Sequence, residues 1–246
     1  MTAVPAAIPD SYCGAPPVPS DWLDRWNADP LLIAGLLMVA AALAWATQAG
    51  SRERRAGSGA LGLIALFYLS PLCALGGALF TARVAHHLAL AMIVAPLVGI
   101  AIPGWLVRLP GSLASWTLID AAVLWAWHSP ALYGIAATGS GAYWLMQASI
   151  LLASAVFWQR LIAATAPAGI AALLAAMVQM GALGALITLA PRMLYPVHLA
   201  TTSAWGLTPL EDQQIAGLVM WVPASAVYLF VALGLVGRMV HPEPAR

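Results

Sequence analysis

Seven runs of apolar residues punctuate the chain, at about 30–49, 60–80, 84–102, 113–135, 142–162, 167–190 and 213–237. A hydrocarbon core about 30 Å thick requires roughly 20 apolar residues per helical crossing. The pattern therefore predicts an all-α, polytopic membrane bundle of seven transmembrane helices. Connections between the runs are short, except for the polar leader 1–29 and the stretch 191–212, which are long enough to form structure at one surface. The expected organisation is a leader at 1–29, a transmembrane domain at 30–238 and a tail at 239–246. Pro71, Pro96 and Pro223 predict kinks or breaks in their helices. Pro130 predicts that the fourth helix ends near His128.

Composition agrees with the pattern. The 246 residues are 62% hydrophobic and 8% charged, whereas soluble domains carry about 25% charged residues. All ten basic residues are arginine. With the N-terminus outside, Arg52, Arg54, Arg55, Arg108, Arg160, Arg238 and Arg246 fall on the inner side, against Arg25, Arg83 and Arg192 outside. The positive-inside rule favours that orientation, with a cytoplasmic C-terminus. The "SRERRAGSG" stretch, 51–59, carries most of this signal as an expected inner loop. Tryptophans fit interfacial belts facing lipid, with Trp22, Trp26, Trp127, Trp144 and Trp205 outside and Trp45, Trp105 and Trp158 inside. A net charge of +1 without a basic tract excludes nucleic acid as an expected partner. The first 22 residues have neither a basic n-region nor an apolar core, so a cleavable signal peptide is not expected. Cys13 and Cys73 have no ligand-motif spacing, and a disulfide framework is not expected from them.

The orientation gathers His86, His87, His128 and His198 at the outer end and leaves His241 inside. Neutral imidazole is a common ligand for copper, zinc and iron. Adjacent helical residues point about 100° apart, so His86 and His87 share an ion only if the helix start frays; otherwise they are interfacial polar groups. His128 at a helix C-terminus has a sufficient reason in the helix dipole. His198 falls in the outer loop, where a solvated histidine is ordinary. Met92, Met146, Met220 and Cys13 fall on the same side, and thioether, thiolate and imidazole together suit Cu(I). Methionine is also a common filler of apolar cores.

Thr208, Pro209 and Glu211 read as the N-cap, N1 and N3 of the last helix, a capping box. Asp212 also complements a positive helix end, whereas Gln213 and Gln214 carry amides toward the membrane without such a reason. Asp120 is the one acid within an expected span. It reads as a hydrogen-bonding group to a neighbouring helix, with a proton relay as the alternative. No nucleotide loop, catalytic triad or paired carboxylates occur, so an enzyme is not indicated.

"ARVAHHLALAMIVAPL", "WHSPALY" and "LEDQQIAGLVMWVP" resemble the caa3-type CtaG family of cytochrome c oxidase assembly factors, over about Asp29 to Tyr228. The string from Asp212 to Trp221 is the most specific. The resemblance implies a seven-helix membrane protein that helps mature haem–copper oxidases, at the copper of the catalytic subunit. It matches His87 and His128 to the family's histidine motifs, and Asp212, Gln213, Gln214 and Met220 to its last motif. The chain departs from the family pattern with Arg83 in place of a histidine, His86 in place of a glutamine, and Met146–Gln147 in place of a glutamate–histidine pair.

The expected function is a copper chaperone for oxidase assembly, taking Cu(I) on the outer side and delivering it to the catalytic subunit. His87 and His128 would hold the ion, His86 would assist, and Met92 or Met220 would act deeper. Cys13, on a flexible leader, would collect copper from a soluble donor. The alternatives are a metal-free scaffold for nascent oxidase subunits and a copper or proton transporter using Asp120.

Overall fold

The computed structural model describes residues 11–240, which lie in helices joined mostly by short turns. We label the helices α1 Pro30–Ala46, α2 Arg52–Leu69, α3 Leu72–Ala78, α4 Phe80–Ala101, α5 Leu113–Trp127, α6 Pro130–Thr138, α7 Ser140–Ile162, α8 Ala166–Leu189 and α9 Pro209–Val240. A single helical turn, Pro103–Leu106, follows α4. Four helices, α4, α7, α8 and α9, are each long and apolar enough to cross a membrane. The α2–α3 pair, bent by 50°, makes a fifth candidate, while α1 and α5 are shorter apolar helices of 17 and 15 residues.

Prolines and caps account for most boundaries. Asp29 caps α1 through Leu31 N at 2.8 Å, with Pro30 at N1. The expected inner loop 51–59 is instead the start of α2: Ser51 accepts a hydrogen bond from Arg54 N at 3.1 Å, and the arginines form the first turn. A charged first turn reads as loop when only apolar periodicity is followed. Pro71 lies at the α2–α3 bend. Before Pro96, the backbone of α4 widens into a π-turn over Leu90–Val94, a common accommodation where a helical hydrogen bond is interrupted. The α5 helix ends at Trp127 and α6 restarts at Pro130, as expected from that proline.

The α4 helix is central, packing against α2, α3, α7 and α9. The most extensive helix pairing is α8 with α9. There a Cβ on Gly217 would lie 2.7 Å from the Gly184 carbonyl oxygen and 2.2 Å from Thr188 Oγ1. Glycine at 217 lets the two backbones meet, the usual way apolar helices gain close packing in a membrane. Trp158 departs from its expected belt position: it is buried, and its indole N–H donates to Ala91 O at 2.8 Å. Trp45 and Trp105 are exposed.

The described part of the leader lies over one end of the bundle and is tied there, contrary to the expectation of a flexible arm. Tyr12 stacks on Tyr143 at 5.1 Å and hydrogen-bonds to Asp29. Asn27 Nδ2 donates to Tyr68 O at 3.1 Å, and Trp205 Nε1 donates to Pro17 O at 3.1 Å. A Cys13–Cys73 disulfide joins the leader to α3. The pair is 60 residues apart in sequence, so spacing could not reveal it; the expectation that no disulfide forms is corrected. Burial pushes the Tyr12 hydroxyl up to about 12, aided by its bond to Asp29.

Candidate functional site

Beneath this cover lies a polar cluster in an otherwise apolar protein. Arg83, His86, His87, His128, Gln147, His198, Thr202, Asp212 and Gln213 are each 3% exposed or less. Buried polar groups normally find hydrogen-bond partners, yet many here have none.

His86 and His87 are not at a fraying helix mouth. The α4 helix begins at Phe80, placing them in its second turn. Regular helical geometry sends them apart, with ring centroids 6.4 Å from each other. His86 turns toward α2, 5.0 Å from the Phe67 ring and 4.9 Å from the Tyr68 ring. His87 turns toward α5 and meets His128 edge-to-face, with centroids 5.3 Å apart. The structure thus pairs His87 with His128 and leaves His86 outside the pair.

His128 is the C-cap of α5, and its Nδ1 lies 2.7 Å from Leu124 O. A carbonyl can only accept, so Nδ1 carries the proton and Nε2 keeps its lone pair. That Nε2, and both ring nitrogens of His86 and His87, are buried without partners among the described residues. Both amide atoms of Gln147 are likewise unpartnered.

His198 is buried rather than solvated, because the 191–208 stretch folds back in two short turns, Pro196–His198 and Thr202–Trp205. Its Nε2 is 2.7 Å from Tyr133 Oη. Tyr195 donates its hydroxyl to His128 O at 2.7 Å and stacks on Phe80 at 3.9 Å. Burial, aided by the Arg83 charge, pushes the His198 imidazole down to about 4. It stays neutral at physiological pH.

The last motif's polar residues have structural partners. Asp212 accepts from Phe80 N at 2.7 Å and Thr81 N at 3.1 Å. It therefore caps α4 from α9, not only its own helix end. Thr81 Oγ1 adds a bond to Asp212 O at 2.8 Å. Gln213 donates to Ile187 O and accepts from Leu194 N, at 3.1 and 2.6 Å, fixing the end of α8 and the loop beyond it. The backbone oxygen of Gln214 accepts from Thr188 Oγ1 at 3.3 Å. Glu211 and Thr208 form the expected capping box. Asp120 accepts from Ser154 Oγ at 2.6 Å, the expected bond to a neighbouring helix.

Arg83 is the unexpected centre of the cluster. Its guanidinium packs against Gly76, where a Cβ would come within 3.0 Å, and over the Tyr143 ring at 5.0 Å. Nη1 has no hydrogen-bond partner, and among the described residues the one ion pair is Arg25–Asp21. Arg83 and Asp212 form no ion pair. Tyr133, Tyr143 and Tyr195 were missed by sequence reasoning because tyrosine in an apolar helix or an outer loop carries no ligand signal. Their proximity to one histidine end was the available hint.

Of the sulfur candidates, Met146 and Met220 lie in the apolar core, and Met92 is half-buried in the π-turn of α4. Cys13 is bonded to Cys73 and is no free thiolate in this state, correcting its expected role as a lone, mobile copper collector. His241 lies outside the described residues. Among those described, no three His, Cys, Asp or Glu side chains converge as a metal site.

A family model described as cytochrome c oxidase caa3 assembly factor matches residues 37–241. No curated protein and no solved structure matches the chain.

Proposed function

Because the chain belongs to the cytochrome c oxidase caa3 assembly factor family, we propose that it accepts Cu(I) as cargo on the outer side of the bacterial inner membrane and passes it to the oxidase's catalytic subunit. The role in oxidase assembly comes with the family. The copper, its route and the direction of transfer are our reading.

The observation that carries this reading is the His87–His128 pair. Their rings meet edge-to-face with centroids 5.3 Å apart, and the buried nitrogens of His87 and Nε2 of His128 lack partners among the described residues. A backbone carbonyl holds the His128 ring by Nδ1, the kind of outer-shell bond that orients a ligating histidine. A soft monovalent ion suits a site of few imidazole ligands. His86 would assist only after a rotamer change. Met92 and Met220 would take the ion deeper, and Asp212, Gln213 and Gln214 would hold the frame.

We take all seven apolar segments to span the bilayer, with the leader outside and the tail in the cytoplasm. The α1 and α5 helices then rely on their flanking turns to reach the interfaces. A client site below the membrane surface is poorly accessible to a soluble donor, which gives a membrane-embedded carrier its physical purpose. A soluble copper donor would load it at the leader face.

The absence of three converging ligands among the described residues favours a second reading, a metal-free scaffold holding nascent oxidase subunits. A deletion strain complemented with wild type or His87→Ala/His128→Ala separates them. Copper delivery predicts that the variant reaches the membrane in normal amount while the oxidase lacks copper. Full oxidase copper with the variant would favour the scaffold.

A further inference from the structure

We propose that Cys13 and Cys73 form a second, redox-gated Cu(I) site, a disulfide when oxidised and a two-thiolate clamp when reduced. The inference rests on copper being the cargo, but concerns different ligands from the histidine pair.

The leader and α3 bring the two residues to a Cα–Cα distance of 5.4 Å. Cys13, on the leader, is 9% exposed and Cys73 fully buried, so Cys13 is the more accessible residue of the pair. Reduction need not scatter them. Tyr12 remains tied to Asp29 and stacked on Tyr143, and Trp205 still holds Pro17. Two thiolates held by such a frame form a soft site, and thiolates select Cu(I).

The surroundings supply what a bis-thiolate copper site lacks. Two thiolates and one Cu(I) carry a net charge of −1, and a buried charge is costly unless compensated. Tyr143 Oη lies 3.6 Å from Cys13 Sγ and 3.8 Å from Cys73 Sγ, as a hydrogen-bond donor to either sulfur. On the same ring sits the Arg83 guanidinium, a buried cation with no carboxylate in ion-pair range among the described residues. A complementary anion at the sulfurs would account for that charge. Arg83 is also on the same helix as His87, one turn before it.

The chemistry balances with a dithiol donor from the extracytoplasmic side. The donor's thiols give two electrons and two protons to the Cys13–Cys73 bond and become a disulfide. The two protein thiols then bind Cu(I) and release two protons. Reoxidation by a disulfide acceptor removes both thiolates and drives the ion from the sulfurs.

The test uses the full chain in detergent under anaerobic conditions, oxidised or reduced with a phosphine that is then removed, and titrated with Cu(I) from a bicinchoninate complex. The reduced wild type should take up one more Cu(I) per chain than the oxidised form, with sulfur neighbours in copper X-ray absorption. Cys13→Ser/Cys73→Ser should lose that increment, and His87→Ala/His128→Ala should retain it. Arg83→Gln should weaken it about tenfold. Equal uptake by reduced and oxidised wild type would overturn the proposal, as would an increment with only nitrogen neighbours. Should the double serine variant fail to fold, the two states of the wild type still decide. Loss of copper from the histidine variant's other site, or its absence there, bears on the histidine reading alone.

Discussion

The Nδ1 atom of His128 lies 2.7 Å from the carbonyl oxygen of Leu124, one turn earlier in α5. One contact thereby serves two purposes. It adds a side-chain donor to a carbonyl that already accepts the His128 amide at the helix end, and it fixes the tautomer that leaves Nε2 without a proton. The helix-cap reading of His128 and the ligand reading are therefore compatible.

Unpartnered nitrogens make His87 a site-specific liability in the empty protein. Removing a buried polar group that has no partner is nearly neutral or stabilising. His87→Leu should leave metal-free stability within about 1 kcal/mol of wild type, or raise it. Wild type should gain roughly 2.7 kcal/mol when free Cu(I) is 100 times its dissociation constant, and the variant should gain much less. Thermal unfolding in detergent, with and without Cu(I), measures both.

Asp212 belongs to the frame. Asp212→Ala strips the Phe80 and Thr81 amides of their acceptor, at a cost of about 1–3 kcal/mol. Asp212→Asn should lose less, since one acceptor oxygen remains. Denaturant or thermal melts of the two variants check the order.

At the α8–α9 contact, Gly217→Ala must move a backbone. Its Cβ would meet Gly184 O and Thr188 Oγ1 at 2.7 and 2.2 Å. Overpacking of this kind costs about 1–3 kcal/mol. A lowered unfolding temperature is expected, whereas Gly181→Ala, with no atom within 4 Å of the added Cβ, should have little effect on packing.

His198 sets a pH dependence. Its folded value of about 4 lies below the ordinary 6.5, so the unfolded chain binds the extra proton between these values. Stability is then fully present above about pH 6.5 and falls as the pH drops toward 4, by an amount of order 3 kcal/mol for this group. Arg83 and Tyr133 face the ring and shape the shift. His198→Gln should flatten the acid limb of a stability–pH profile recorded between pH 4 and 7.

Apolar runs made the helices legible, and prolines 71 and 130 marked real breaks. Arg52, Arg54 and Arg55 hid the start of α2, because a solvated first turn lacks the apolar period. The site was legible as a set of residue types at one end, but not as a geometry. Nothing in "AHHLA" says that His87 faces α5 while His86 faces α2; that depends on where α4 begins. Asp212 caps a helix more than a hundred residues away, and Cys13 finds Cys73 across the leader fold. Such tertiary partners have no local signature. Likewise, nothing local says that Arg83 packs on Tyr143 and Gly76 in a pocket that admits it.

The most direct measurement is copper per chain in oxidised protein purified anaerobically in detergent and loaded with Cu(I), comparing wild type with His87→Ala/His128→Ala of matched helicity. The account predicts close to one Cu(I) with nitrogen neighbours in wild type and a large loss in the variant. Equal copper in the two, or none in wild type, would contradict the histidine pair as the cargo site.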